Sequence, residues 1–394
     1  MTREQIATIL NTAEMTNLFG AGTTVATDLS NIVDYGKSIA NMTANELKDV
    51  TQKFVTQVAK TYVDTRKMNF SDLGLFHDKL EYGGLIQRVK ANGDYKNADY
   101  VDMLNLVSGN NYFDGTYYGI TADTKIYQKG DEWQINYSIP MSMWRDAFTG
   151  VGDIMEIVAL IESYTENSKN AKKFALAKDL ICGVIKNAND GSRVINILTE
   201  YKTVTGTDYT ATPDKALLDK DFLAFFALTV SNLKGRMTDP NKVYNDGTVV
   251  TFSQPDEIRT YMLNPVKNAI DVYLKANTFH NEAINYGVDF GLNSWQNSGN
   301  TMLPSITGNC STIKYGEYTQ SDIPLDTAPT SANTTTINKV VALIMDVQTA
   351  GMTDMFEKTT SQYIGNGDYT TYYNAHRTNY FVDSRNSAVI IRLA

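Results

Sequence analysis

Between residues 151 and 189, small and apolar side chains recur at three- and four-residue steps: Ile154, Val158, Ile161, Ser168, Ala171, Ala175, Cys182 and Ile185. That spacing lines one face of a helix. Thr149 and Asp153 offer capping oxygens near the start, Asp190-Gly191 stops the run, and no proline interrupts it. The pattern predicts a rod of roughly 58 Å, far longer than the average globular helix. Its polar positions (Glu162, Glu166, Lys169, Lys172, Lys173, Asp179 and Lys186) are expected to face solvent.

Other stretches take their period from this rod or break it. Residues 1–43 have weak periodicity, with Gly20 and Gly22 as breaks, and read as an extended arm. Residues 44–68 predict an amphipathic helix with Leu47, Val50, Phe54, Val58 and Tyr62 on one face and Asn45 as a cap. From 80 to 140 the period falls to two. Leu85, Val89 and Ala91 alternate with Arg88 and Lys90 before the turn at Asn92-Gly93. Trp133, Ile135, Tyr137 and Ile139 alternate with Gln134, Asn136 and Ser138, the signature of a half-buried antiparallel strand. Lys129-Gly130-Asp131 reads as a bulge or turn. The run from Ile120 to Ile139 is either one bent strand, on the order of 60 Å long, or two short local hairpins of one sheet. A two-stranded arm of that length needs a surface to lie on.

Beyond the long helix come a short apolar segment (Val194 to Leu198), a polar loop to Pro213, and a helix over 219–234 capped by Asp219 or Asp221. Phe222, Phe225, Phe226 and Leu233 point inward on that helix. A strand is expected from Thr248 to Phe252. Ser253 with Glu257 looks like a cap for a helix through Leu263, and Pro265 opens another to Ala276. Residues 284–292 alternate loosely as a strand, and 296–338 read as a long loop rich in Ser, Thr, Asn, Gly and Pro. Val340 to Val347 is a continuous apolar strand, buried on both faces. Tyr- and Val-rich strand segments between Tyr369 and Leu393 close the order. There is no internal repeat and no flexible linker.

Composition narrows the function classes. The chain has 394 residues, 42% of them hydrophobic and 20% charged, ordinary globular material with room for one to three domains. A net charge of −9 argues against a surface that grips nucleic acid through its phosphates. It leaves room for containing DNA without adhering. Cys182 and Cys310 are too few for a disulfide framework, and no run of 18 apolar residues marks a membrane span. The 24 tyrosines fit extensive semi-polar contact surface.

Candidate chemistry is sparse. His77, His280 and His376 lie far apart, and HNEAI at 280–284 lacks the second histidine of a zincin, so no metal site is nominated. Gly20-Ala21-Gly22-Thr23-Thr24-Val25 is a broken dinucleotide fingerprint with no strand before it, and no cofactor is implied. Asp131 and Glu132 beside Trp133 could suggest a glycosidase pair, but the turn of a β-arm explains them better. No enzyme is expected. Arg88, Lys90, Lys125 and Lys129 on the β-arm read as a solvated face or, more sharply, as charges that pair with a neighbouring acidic subunit.

The order of elements resembles the major capsid proteins of tailed phages, the HK97-type fold, and is most similar to those of small podoviruses of the phi29 kind. Four segments carry the resemblance. YVDTRKMNFSDLGLFHDKLEYGGLIQRVK (62–90) resembles the approach to an extension loop and its first strand. TKIYQKGDEWQINYSIPMSMWRDAFTGVGDIMEIVALI (124–161) resembles the returning strand, a short helix around Met141 to Phe148, and the start of the spine helix. VVALIMDVQTAGMTDMFEKTT (340–360) is similar to strands late in the axial domain, and YYNAHRTNYFVDSRNSAVIIRL (372–393) to the strand that returns to the peripheral domain.

The resemblance implies an α+β, HK97-like capsid fold. It would comprise an N-terminal arm with an amphipathic helix (1–70), an extended β-hairpin or E-loop (71–145), a peripheral (P) domain with the spine helix (146–195 and 380–394), and an axial (A) domain (196–379). It implies a shell of hexameric and pentameric capsomers enclosing double-stranded DNA without sequence-specific binding, found in the virion and made in the host bacterial cytoplasm. The short, weakly charged arm implies a separate scaffolding protein, with a portal as a further partner; no Ig-like domain is expected after the terminal strand. No Lys, Asn and Glu set for intersubunit crosslinking can be assigned. Candidate contacts between subunits are Arg88, Lys90, Lys125, Lys129, Asp131 and Trp133. An encapsulin-like compartment shell and another virion protein such as a tail component are the alternatives within reach of the same pattern.

Overall fold

The structure, a computed structural model, describes residues 3–11, 24–33, 73–79, 86–92, 108, 121–127, 130–143, 151–275, 287–296, 309–315 and 335–394. The helix expected over 44–68, the side chains of Lys129 and Asp131, and His280 lie outside these residues.

The first element corrects an expectation. Arg3–Leu10 (α1) is a helix and not extended arm. Ile6, Ala7, Ile9 and Leu10 are buried, as are Val25, Leu29 and Ile32 further on. The Asn11 side chain donates to Val25 O at 2.8 Å and accepts from Val25 N at 2.7 Å, a two-bond clasp that imitates a strand pair. A helix of eight residues is too short for its period to stand out when residues 1–43 are read together.

Among the described residues, four strands precede the rod: β1 (Phe76–Lys79), β2 (Ile86–Asn92), β3 (Thr121–Tyr127) and β4 (Gly130–Pro140). The alternating run divides at residues 128–129. β3 pairs antiparallel with β2 as a two-stranded ribbon, and β4 joins a different sheet. Neither a single ladder nor two hairpins of one sheet describes it.

The rod itself, α2, spans Val151–Ala188, 38 residues or about 57 Å. It packs against β4 and the strands Ala350–Ile364 and Tyr369–Val382 of one sheet and against the strand Ala388–Arg392 of another. From Ala175 to Ile185 almost every side chain is buried, because sheet and loops close around it. The expected solvent face is wrong in part: Lys169, Lys172 and Lys173 are buried. Ala171, assigned to the inner face, is exposed. The ammonium ends of Lys169 and Lys173 reach the carboxylates of Glu357 and Asp354, so polarity alone misjudges the face.

β11 (Ala350–Ile364) and β12 (Tyr369–Val382) form a long hairpin, flanked by β1 on one edge and β4 on the other, in the order β1-β11-β12-β4. A bulge interrupts the β11–β12 register, so that Asp354 faces Thr378, Phe356 faces Arg377, and Met355 is the extra residue.

The second sheet has the order β5-β13-β10-β6-β7, built from β5 (Val194–Asn196), β6 (Ile258–Leu263), β7 (Phe290–Leu292), β10 (Val340–Asp346) and β13 (Ala388–Arg392). All seven residues of the central β10 are buried, as its continuous apolar sequence predicts. Strand β6 corrects a second expectation, since the helix capped at Ser253 was to run through Leu263. Five of its six residues are buried beside β10, and pairing on both edges outweighs helical spacing. The Gln254–Glu257 contact (3.4 Å) closes only a turn. Thr248–Phe252 is not a strand; Thr251 makes a lone bridge to Asn241.

Helices cover this sheet. α3 (Ile197–Thr205) falls where a polar loop was expected, buries Ile197, Leu198 and Tyr201, and ends at Gly206 in the left-handed region (φ 78°). α4 (Lys220–Met237) starts at the expected cap, Asp219, whose carboxylate accepts from Asp221 N at 3.0 Å. α5 (Asn264–Ile270) begins with Pro265 in its first turn. Within the expected long loop, β8 (Ile313–Tyr315) and β9 (Thr335–Ile337) pair antiparallel.

Sheet membership divides the chain differently from chain order. The hairpin 350–382 pairs with β4, whereas the terminal strand β13 lies between β5 and β10.

Candidate functional site

Two polar assemblies hold the long elements to the body. The first sits at the root of the β2–β3 ribbon, where the turn from β12 to β13 carries Asp383, Ser384, Arg385 and Asn386. The side chains of Asp383 and Arg385 are completely buried. Arg385 Nε and Nη2 donate to Asp383 Oδ1 (2.9 Å) and Oδ2 (2.8 Å) as a fork. Nη1 donates to Asp123 O (2.8 Å) and Oδ2 (3.1 Å), and Nη2 also to Arg88 O (3.3 Å). All five guanidinium protons are thereby used, and both ribbon strands are gripped at once.

Arg88, Lys90 and Lys125 converge on the same turn. Arg88 donates to Gln348 O and to Gln348 Oε1 (3.1 Å), lies 3.8 Å from Asp383, and covers the Phe381 ring at 4.7 Å. Lys90 donates to Asn386 Oδ1. Lys125 reaches Ser384 Oγ at 3.2 Å and Asp246 Oδ2 at 3.4 Å. Burial lowers the pKa of Arg88 and of Lys90, partly offset by Asp383. Burial would raise the Asp383 carboxyl, but the Arg385 fork outweighs it and holds the group below the ordinary carboxylate range.

The second assembly is the seam between α2 and the four-stranded sheet. Lys169 Nζ donates to both oxygens of Glu357 (2.9 and 3.0 Å), and Lys173 pairs with Asp354. Asp354 also meets His77 Nε2 at 3.2 Å and accepts from Thr378 Oγ1 at 3.2 Å. Trp133 Nε1 donates to Thr378 Oγ1 at 3.3 Å, while its ring stacks on His376 at 4.3 Å. The bulge makes this possible. Strict alternation would send residues 354 and 357 to opposite faces, and Met355 brings both carboxylates round to two lysines one helical turn apart. Burial holds His376 neutral, its pKa pushed down to about 4 despite the pull of Glu357.

Of the six candidate contacts, Arg88, Lys90 and Lys125 come together at the ribbon root, and Trp133 belongs to the seam. Asp131 is known by its backbone pairing with Thr378, and Lys129 lies outside the described residues. Sequence reading missed Asp383, Arg385 and Asp123. Its one signal was a charged pair two residues apart in a short turn between two apolar strands, 382–388. Among the described residues no group of His, Cys, Asp and Glu is arranged to hold a metal ion. Both cysteines are buried thiols outside any disulfide, and burial pushes their pKa up. No described helix is long and apolar enough to cross a membrane.

A sequence model of Phi29-like phage major capsid proteins matches residues 11–391. The capsid structure of Staphylococcus phage Andhra matches with a TM-score of 0.53 at 12% identity, over 81% of this chain and 83% of that one. The capsid structure of the Cyanophage P-SCSP1u gives 0.46 at 10% identity, over 82% and 86%. At such identities likeness speaks for fold alone, and the Andhra capsid carries that argument. No curated protein matches the chain in sequence.

Proposed function

The chain belongs to the family of Phi29-like phage major capsid proteins, and on that premise we propose how its parts serve the shell. Its function is that of the major capsid protein of a tailed phage, a structural subunit of mixed α+β fold. In our reading α2 is the spine, and with the sheet β1-β11-β12-β4 it makes the peripheral domain. The five-stranded sheet with α3, α4 and α5 makes the axial domain, and β13 ties the two. This redraws the boundary expected from chain order, because sheet partners outweigh sequence proximity.

One observation carries the proposal for the β-arm. The β2–β3 ribbon pairs with no third strand among the described residues, yet a completely buried arginine anchors it. A two-stranded ribbon is unstable alone, and with Val89 and Ile126 each 58% exposed on it the anchored ribbon suits an extension loop lying on a neighbouring copy. Arg88, Lys90 and Lys125 then aim the arm, and Lys129 and Asp131, where the chain passes from ribbon to sheet, face the neighbour. Hexameric and pentameric capsomers supply those neighbours by closed symmetry. A separate scaffolding protein and a portal complete assembly in the host cytoplasm. The net charge of −9 supports a lining that encloses DNA without gripping it.

Negative-stain microscopy of the expressed chain, with and without neighbouring phage proteins, tests this. Closed shells are expected. In Arg385→Met, subunits that remain folded should fail to close them. Normal shells from that variant would refute the anchored-arm reading.

A further inference from the structure

The β2–β3 ribbon is packed with its polarity reversed. Arg88, Lys90, Asp123 and Lys125 share its half-buried face and reach Gln348, Asn386, Arg385 and Asp246 of their own chain. Gln87, Val89, Ala91, Ala122, Thr124 and Ile126 share the other face, and all six are exposed. A half-buried strand pair ordinarily turns its apolar side inward and its charges to water. Here the charges are spent within the chain, and the outward face carries none.

We infer that this outward face seats on α2 of a second copy, along Leu160, Tyr164 and Phe174, and that apolar burial rather than charge pairing drives the contact. The inference rests on the extension-loop reading above and adds the two surfaces and their chemistry. Leu160 is 56%, Tyr164 49% and Phe174 39% exposed. With Asn167 and Ala171, exposed between them, they follow one side of the helix at steps of four and three. This side runs for about 21 Å, and a seven-residue ribbon strand for about 23 Å. Exposed apolar surface of such extent marks a contact site. Both surfaces stay exposed within one folded chain, so they do not meet there, and Arg385 holds the ribbon to its own turn. A second copy brings them together. The two surfaces differ, so the contact is heterologous: each copy gives its ribbon to one neighbour and its helix to another, which propagates round a ring.

The test replaces Gln87, which pairs with Ile126 across the ribbon, with the photo-crosslinking residue p-benzoylphenylalanine. Assembled particles are irradiated and the adducts mapped by mass spectrometry. Adducts at the mass of two chains, joining residue 87 to 160–174, are expected. Two-chain adducts elsewhere, single-chain adducts alone, or none, would overturn the inference and leave the capsid reading standing. Failure to form particles at all would sink both. Ile126→Asp and Ile126→Lys should each lower the adduct yield at least tenfold with the circular dichroism of the unassembled chain unchanged. Phe174→Asp should do the same from the far side, with the ribbon intact. An undiminished yield, or a loss with only one sign of charge at 126, would refute an apolar contact.

Discussion

The two sheets of this subunit are secured by opposite means. The five-stranded sheet is closed by apolar burial, with β10 and the flanking Tyr261, Met262, Val389 and Ile390 wholly out of water. The four-stranded sheet is fastened to the spine by lysines, carboxylates and a stacked histidine. Apolar burial is strong but indifferent to direction. Buried ion pairs add little net stability, yet breaking one side is costly because the other is left stranded. The comparison teaches that mass of core and precision of arrangement come from separate places in the chain.

The largest effect tests the charged half. Arg385→Met leaves Asp383 buried without its fork, and a loss of about 3–5 kcal/mol in unfolding free energy is expected from denaturant titration of the unassembled subunit. A double variant with Asp383 also made apolar should recover most of it; no recovery would mean that packing, not charge, is at stake.

Next comes the apolar half. Leu343→Ala in β10 should cost about 2–5 kcal/mol, with the same loss at pH 5 and pH 7.5. A strong pH dependence of that difference would contradict a purely apolar origin.

The seam should respond to acid. His376 has a folded pKa of about 4 against an ordinary 6.5, so as pH falls the unfolded chain takes up the proton first. Its contribution is full above about 6.5 and is lost as pH falls through 4. Asp354, also held low, loses its contribution in the carboxylate range below that. Between pH 7.5 and 5 the loss from His376 is on the order of 2 kcal/mol. His376→Gln should flatten this part of a chemical-denaturation profile against pH.

The smallest effect lies on the solvent side of the same sheet. Glu132→Gln removes the partner of Arg377 at 3.5 Å, but Glu132 is 71% exposed. A change below about 0.5 kcal/mol is expected, vanishing in added salt.

Much of the fold could be read because periodicity is local. α2, α4 and β10 each show their pattern within their own span, as do Trp133 to Ile139 in β4. What failed was decided at a distance. Ile258–Leu263 looks helical until β10 and β7 stand on either side, and Lys169 and Lys173 look solvated until β11 passes beneath them. The ribbon root was least legible of all. Arg385 meets Asp123 across 262 positions, and nothing in either neighbourhood announces the other. Arg88, Lys90 and Lys125 were picked out as charges in search of partners, and the acidic and amide groups they meet belong to their own chain.

Met355 invites a different kind of thought. One supernumerary residue sets the phase of everything outward from it along the hairpin. Deleting it would leave Phe356 and Glu357 opposite Arg377 and His376, whereas straightening the strand with Met355 kept would act like a slipped gear tooth: Phe356 would swing under the rod and Glu357 out to water, turning the distal arm inside out. Among sequences sharing this architecture, insertions and deletions should therefore collect at the hairpin tip, around 365–368, and shun the strand before it.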